Sequence, residues 1–503
     1  MDSAAPALPP CYRISARDDV AIALRDLAAG ERVAVDGEEI ELLDAIPRSH
    51  KFALRSVSAN EPVRKYGQVI GRATTQIARG AHVHTHNLAT LLAGVDEYRF
   101  APRTRSAPST TAESLSFMGY RRADGRVGTR NEIWILCTVG CVGRTAERIA
   151  RLAAERCKDR VDGVYAFPHQ FGCSQLGGDL DRTRRLIAGL ARHPNAGGVL
   201  ILGLGCESNQ LEPLLQEIPQ SQRAHIRTFA AQATQDEVDE GLRFVDELAD
   251  IAARAKREPC SISSLAIGLK CGGSDGLSGI TANPLLGRIA DRVTNAGGTA
   301  ILTEIPEIFG AERLLMERAA NEQVFAGIAE IVNDFKRYYL ENDQPVHENP
   351  SPGNIAGGIT TLEEKSLGAV QKGGHATVTQ VVRYGGQIAR PGLALLEAPG
   401  NDGISSTALV AAGATIVLFT TGRGTPLGFP VPTIKVSSNS EIAAKKPHWI
   451  DFSAGALLDG TKSMAQLEDD LFALILATAS GQLVNNEKNG YREIAIWKEG
   501  VTL

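Results

Sequence analysis

Leu265 to Asn283 reads LAIGLKCGGSDGLSGITAN, and this stretch limits the possible folds of the chain most strongly. The apolar run Leu265 to Leu269 has the length of a buried strand. It ends in Lys270 and Cys271, then meets Gly272, Gly273, Ser274, Asp275, Gly276 and Gly279, and a helical pattern begins after Pro284. A strand that stops at a glycine-rich turn before a helix puts that turn at the carboxyl edge of a sheet, where open α/β sheets bind ligands. The unit recurs. Val164 to Phe171 leads into Gly172, Cys173, Ser174 and Gln175, and Val199 to Leu204 leads into Gly205, Cys206, Glu207 and Ser208. Cys173, Cys206 and Cys271 share one turn position, so their thiols are expected to converge if the strands are neighbours. Packing alone also accounts for any single one of them, because cysteine behaves as a small hydrophobe. Their separation in sequence is too long for a local zinc knuckle, which uses close pairs.

A chain of 503 residues has room for roughly two to four domains. Hydrophobic content of 43% and charged content of 22% are those of an ordinary globular protein. The net charge of −5, without a basic block, argues against nucleic acid and anionic membrane as partners. No apolar run reaches the length of a membrane span. The first residues, MDSAAPALPP, lack the basic and apolar segments of a signal peptide. Eight cysteines in a long, unexported chain point to reduced thiols in the cytoplasm.

Residues 1–100 are expected to form a small β module. Val33 to Val35, Asp36-Gly37 and Glu39 to Leu43 read as a hairpin, since Asp-Gly supplies the positive φ angles of its turn. Further short runs, at Phe52 to Val57, Pro62 to Tyr66 and Val69 to Ala73, suit a clip-like or barrel-like fold. Alternation in a strand would put His82, His84 and His86 on one face, about 7 Å apart, lining a pocket or contributing metal ligands. Lys65 is a candidate base or carboxylate ligand, although a surface lysine fits the same pattern. Residues 101–116 are rich in Pro, Ser and Thr and read as a linker.

From 117 to 345 strands and helices alternate, which predicts a parallel sheet with helices on its faces. Neither a complete dinucleotide fingerprint nor a Walker A sequence occurs, so nothing requires a nucleotide. Arg130 and Asn131, on a Gly-rich loop, would suit a carboxylate-bearing substrate. Thr360 to Glu363 has a capping-box pattern. Residues 346–503 add two more strand–turn units. The first turn carries Asn401 and Asp402, plausible hydroxyl and metal partners; the second carries Arg423, a plausible carboxylate clamp.

The segments KYGQVIGRATTQIARGAHVHTHN, GYRRADGRVGTRNEIWILCTVGC, FGCSQLGGD, HPNAGGVLILGLGCE, CGGSDGLSGITANPLLGR, PSPGNIAGGITTLEEKSLG, EAPGND and FTTGRGTPLG together resemble the altronate/galactarate dehydratase family. The resemblance runs from about Tyr12 to Leu503. NSEIAAKKPHWIDF and EIAIWKEGVTL are closer to the altronate branch. It implies an α/β protein with an N-terminal β-clip module of the antifreeze-like (SAF) type, followed by α/β domains with largely parallel sheets. It implies a hydro-lyase acting on a sugar acid, D-altronate to 2-keto-3-deoxy-D-gluconate in hexuronate breakdown, and a divalent metal, usually iron. Galactarate or a related hydroxyacid is the alternative substrate, and a non-catalytic sugar-acid-binding protein the alternative of another class. A homo-oligomer is expected.

Removing water across C2–C3 of an aldonate requires taking a weakly acidic C2 proton while the carboxylate absorbs charge as an aci-enolate. A metal and positive groups aimed at that charge supply the stabilisation. Metal candidates are His84, His86, Cys173, Cys206, Cys271 and Asp402. Acid–base candidates are His84, His86, Lys65, Glu207 and Asp275, and candidate substrate ligands are Arg130, Asn131, Asn401 and Arg423. Fe2+ is the expected ion, with Mn2+ as a substitute. An iron–sulfur cluster is the alternative, disfavoured because the cysteines lack a close pair. The β module is expected to lay its histidines over the cysteine-bearing edge of the α/β core.

Overall fold

The computed structural model describes residues 9–101 and 115–501, so most of the expected linker at 101–116 lies outside the described residues. The β module contains three small sheets. Cys11–Tyr12, Val20–Ala23, Lys51–Ala53 and His82–Val83 form the first, Arg32–Val35 and Glu38–Glu41 a hairpin, and Pro62–Lys65, Gln68–Ala73 and Leu88–Ala89 the third. The hairpin turns at Asp36 (φ 52°) and Gly37 (φ 88°), as the Asp-Gly pair predicts. The stretch from His82 to His86 is not one strand. Asn87 Oδ1 accepts the His84 N–H at 2.9 Å and the His84 carbonyl accepts the Asn87 N–H, which closes a turn directly after Val83.

The first α/β unit is a parallel sheet of β1 (Glu132–Cys137), β2 (Val164–Phe167), β3 (Ala196–Gly203) and β4 (Ile226–Ala230), in the order β2-β1-β3-β4. Every residue of β1 and β3 is buried, as expected where helices cover both faces. Alternation divides the strand residues between those faces. Ile133 and Ile135 pack with α1 (Gly143–Cys157) and α3 (Glu237–Ala252); Trp134 and Leu136 join the larger core with α2 (Gly177–Ala191).

The second unit is a seven-stranded parallel sheet. Its strands are β5 (Ala266–Cys271), β6 (Thr299–Leu302), β7 (Val378–Val382), β8 (Gly392–Leu396), β9 (Ile416–Thr421), β10 (Thr433–Ser437) and β11 (Phe452–Ser453). The order is β7-β8-β6-β5-β9-β10-β11, with β5 in the middle. Its helices include α4 (Ala282–Asn295), α5 (Leu362–Ala369) and α6 (Asp402–Ala412). The domain boundary expected at 345/346 is corrected by this pairing. β8 hydrogen-bonds to β6 and β9 to β5, so the turn-rich stretch near 341–354 is a connection within one sheet. The two units are locked together where α2 meets α6: a Cβ on Gly189 would lie 2.8 Å from the Ala411 carbonyl oxygen. Among the described residues no helix is long and apolar enough to cross a membrane.

The β module is held to the second unit by charge. Helix α5 starts at Thr361, whose hydroxyl accepts the Glu364 N–H, one residue later than the capping box expected from Thr360. Glu363 accepts from Thr90 and from the Leu91 N–H. Glu364 accepts from Lys51 at 2.9 Å and Lys65 at 2.6 Å, and also from the Thr360 N–H and hydroxyl. All three charged side chains are 1% exposed. Burial alone would raise the Glu364 pKa, but the two ammoniums outweigh it and hold the carboxyl well below its usual range. Burial pulls Lys51 down to about 8, with Glu364 opposing and Lys65 adding to the fall.

Glu364→Gln leaves two buried ammoniums without their counter-charge and should cost about 3–5 kcal/mol in urea unfolding at pH 7. Glu364 has a depressed folded pKa, so its contribution is complete above about pH 5 and disappears as pH falls through the folded value. Wild type should therefore lose stability on acidification more steeply than the variant. Parallel stability–pH curves for the two proteins would contradict this assignment.

Candidate active site at the carboxyl edge of the seven-stranded sheet

Three strand ends converge beside the centre of the sheet. β5 ends in Lys270 and Cys271, β6 is followed by Glu304 and Glu307, and β8 is followed by Asn401 and Asp402 at the start of α6. Lys365, on α5, and Lys372, in the turn Val370–Gly373 that follows it, enter from above. Glu304 is held at φ 67°, ψ 60°, a left-handed conformation costly for a residue with a side chain and one that clusters at functional sites. Gly272 permits the close approach of α6, since a Cβ there would lie 2.7 Å from Asp402 Oδ2.

The contacts form one network. Lys270 Nζ donates to Glu304 and, at 2.8 Å, to Asp402. Lys372 Nζ lies 2.8 Å from Cys271 Sγ and 3.7 Å from Glu304. Lys365 Nζ lies 2.9 Å from Glu307. The Cys271 thiol is 3.4 Å from Glu307 and 3.6 Å from Glu304. Three ammoniums thus balance three carboxylates around one thiol. All are buried except Asp402, whose side chain is 38% exposed.

The environments of the two glutamates push them apart. Burial raises the pKa of Glu304, and Glu307 adds to the rise. Burial would also raise Glu307, but Lys365, Lys270 and Lys372 outweigh it and the net direction is down. Two neighbouring carboxyls whose environments shift them in opposite directions are the arrangement that separates acid from base. Burial, followed by Glu304, pushes the Cys271 thiol up to about 12, so without a cation it keeps its proton. Cys271 Sγ and one oxygen each from Glu304 and Glu307 lie within 4.8 Å of one another. One sulfur and two carboxylate oxygens fit a borderline divalent ion.

The residues expected from sequence fall into separate places. Cys271 and Asp402 are in the network. Asn401 caps α6 by accepting the Ile404 N–H. Arg423 is at the mouth, exposed: the Cβ position of Gly273 is 3.6 Å from Arg423 Cβ, and Nη1 donates to the Gly353 carbonyl at 2.8 Å. Asp275 is saturated by Ser278, Ser438 and Asn439, which makes it an organiser of the glycine-rich turn. Lys65 is the buried partner of Glu364. Arg130 is not free for substrate, because Nε and Nη2 both bind Glu487 at 2.8 Å and the remaining donors meet the Thr129, Thr478 and Gln482 carbonyls. Asn131 joins Arg122 to the Ala252 carbonyl. Glu207 accepts from Thr138, Leu204 and Gly205 and fixes its own loop.

His84 and His50 donate to the short helix Pro352–Ala356, His84 to the Ile355 carbonyl and His50 to that of Ala356, both through Nε2. Their rings stack 4.9 Å apart, with His82 and then His86 beside them. Burial, then the neighbouring imidazoles, lower His82 to about 4, so that ring is neutral at pH 7. The module reaches the glycine-rich turn itself: a Cβ on Gly276 would lie 2.1 Å from the Ser49 carbonyl oxygen. The expected meeting of three thiols does not occur, because Cys173 and Cys206 follow strands of the four-stranded sheet and Cys271 ends a strand of the other. Sequence reasoning passed over Lys270, Glu304, Glu307, Lys365 and Lys372. The spacing of Lys365 and Lys372, two helical turns apart, was the available signal.

A parallel-sheet edge that gathers buried acids, ammoniums and a thiol beneath a β module is built to move protons on an anionic substrate, which is the work of a hydro-lyase. The chain belongs to the D-galactarate/altronate dehydratase family. Residues 10–91 match the altronate/galactarate dehydratase SAF domain, 119–253 the D-galactarate dehydratase/altronate hydrolase second domain, and 262–502 the D-galactarate/altronate dehydratase C-terminal region. It is 49% identical over 493 residues to the altronate dehydratases of Bacillus subtilis (strain 168) and of Escherichia coli (strain K12), covering 98% of this chain and 99% of each relative. It is 34% identical to the galactarate dehydratase (L-threo-forming) of Escherichia coli (strain K12), over 92% of both chains.

Arg130→Met should lower stability by about 3–5 kcal/mol in chemical denaturation, through the stranded Glu487, and leave KM for the substrate unchanged where the variant is folded. A raised KM with unaltered stability would restore Arg130 as a substrate ligand.

Proposed function

We propose that the chain removes water from D-altronate to give 2-keto-3-deoxy-D-gluconate, at the network around Cys271, with Fe2+ as the ion and Mn2+ as a substitute. The observation that carries the chemistry is the balanced set of Lys270, Lys365, Lys372, Glu304, Glu307 and Asp402. The near-complete alignment with altronate dehydratases supports the choice of substrate. Eight free cysteines support a reducing compartment, and we assign the cytoplasm.

The partly exposed Asp402 takes the C2 proton at Oδ. Charge then develops on the C1 carboxylate, and the ammoniums of Lys270, Lys365 and Lys372 face it from fixed positions in a site closed to bulk water. Glu304, whose pKa burial raises, serves as the acid that protonates the departing C3 hydroxyl, which leaves as water. The resulting enol returns its hydroxyl proton to Glu304 while Asp402, its proton exchanged with water at the partly exposed carboxyl, protonates C3. Both carboxyls recover their starting states. Cys271 and Glu307 would hold the ion, with Glu304 left as the acid, and the ion would supply Lewis-acid stabilisation of charge on substrate oxygen. Arg423 holds the hydroxylated tail at the mouth, and His50 and His84 fix the 352–356 segment that borders it.

Anaerobic, iron-supplemented protein should form 2-keto-3-deoxy-D-gluconate from D-altronate, with one solvent deuterium at C3 when the turnover is run in deuterium oxide. Asp402→Asn should lower kcat by about 10²–10⁴, and chelation should remove activity that Fe2+ restores. Failure of the iron-loaded protein to turn over D-altronate, with turnover of galactarate instead, would overturn the substrate assignment. Full activity in Asp402→Asn would overturn the site.

A further inference from the structure

The proposed chemistry leaves three exposed thiols unused, all at the carboxyl edge of the four-stranded sheet. Cys141 follows β1, Cys173 follows β2 and Cys206 follows β3, and β1 lies between the other two. Neighbouring strands are about 4.8 Å apart, so the three turns start within roughly 10 Å. The other five cysteines of the chain are buried.

The turns are fastened to each other next to each cysteine. The Gly140 N–H donates to the Phe171 carbonyl and the Asn209 N–H to the Gly172 carbonyl, both at 2.9 Å. Asn209 Nδ2 donates to the Thr138 carbonyl at 3.1 Å, and the Thr138 hydroxyl to Glu207 at 2.5 Å. Gly172 is at φ 103° and packs so closely that a Cβ would lie 2.1 Å from the Thr138 carbonyl oxygen. Gly205 is at φ 131°. Such constraints hold three loops in one geometry while each presents a thiol outward. Among the described residues Cys141 and Cys173 make no hydrogen bond, and Cys206 meets only Gln232, at 3.7 Å. Two of the turns run into fifteen-residue helices, α1 and α2, whose N-caps make no side-chain hydrogen bond.

We propose that Cys141, Cys173 and Cys206 bind an iron–sulfur cluster of the four-iron type through three thiolates, leaving one iron open to an oxygen ligand. The three sulfurs do not all lie within 4.8 Å of one another. Thiolates on a single tetrahedral ion are about 3.8 Å apart, whereas a cube of iron and sulfide spreads its terminal ligands further. Binding releases three thiol protons and takes up two Fe2+, two Fe3+ and four sulfide ions, so that electrons balance without a further oxidant. The centre is distinct from the Cys271 network, which lies at the edge of the other sheet.

The test is anaerobic reconstitution of the full chain with Fe2+, Fe3+ and sulfide, followed by gel filtration and assay of iron, acid-labile sulfide, zinc and visible absorption. The expected result is about four sulfide and about five iron per chain, one of the irons at the Cys271 network, with a broad visible band; the triple variant C141S/C173S/C206S lacks the sulfide and the band. Cys271→Ser is expected to keep the sulfide and the band, which separates this site from the proposed catalytic ion. Circular dichroism of the triple variant establishes that it is folded, and the single serine variants provide the same readout if it is not. Iron without sulfide, a zinc-only centre, or a band that survives in the serine variants would overturn the proposal.

Discussion

The arrangement of this molecule depends on one buried carboxylate. Glu364 sits on α5 between Lys51 and Lys65, which belong to the β module, while its neighbour Lys365 reaches the other way to Glu307. Successive helical residues point about 100° apart, so a single short helix can hold the module with one side chain and complete the charged network with the next. A buried ion triad is poor evidence of net stability, since well-packed apolar residues often do as well. Its value is specificity: the two ammoniums accept one docking position, and that position places Ser49 against the glycine-rich turn and His50 against the helix Pro352–Ala356.

The network around Cys271 follows the same electrostatic rule more tightly. Charges taken out of water must be paired, and here each carboxylate has an ammonium, with Glu304 holding two. Lys270 is shared by Glu304 and Asp402, and Glu304 by Lys270 and Lys372. Groups held this way need little reorganisation when a substrate anion gains charge, which is where fixed electrostatics lowers a barrier. The left-handed backbone at Glu304 is the local cost, and the connection from β6 sets it.

Much of the architecture was legible in the sequence. The strand–glycine–helix units, the Asp36-Gly37 hairpin and the parallel character of the sheets depend on local chemistry that residues declare directly. Cys271 and Asp402 could be singled out because they sit in those turns. Arg130 had the same appearance, but its partner Glu487 is far away in sequence and no local pattern reveals it. Glu304 and Glu307 lie in an ordinary apolar context, TEIPEIF, and reach the network around Cys271 only because β6 lies beside β5. The boundary at 345/346 failed for a related reason: a turn-rich connection looks the same whether it joins domains or strands of one sheet.

The most direct measurement is a crystal structure of Asp402→Asn, slowed in proton removal, with D-altronate bound. The account predicts the C1 carboxylate within hydrogen-bond distance of the ammoniums around Cys271, C2 facing residue 402 and the hydroxylated tail toward Arg423. Substrate bound instead at the exposed edge of the four-stranded sheet, away from Lys270 and Lys372, would contradict it.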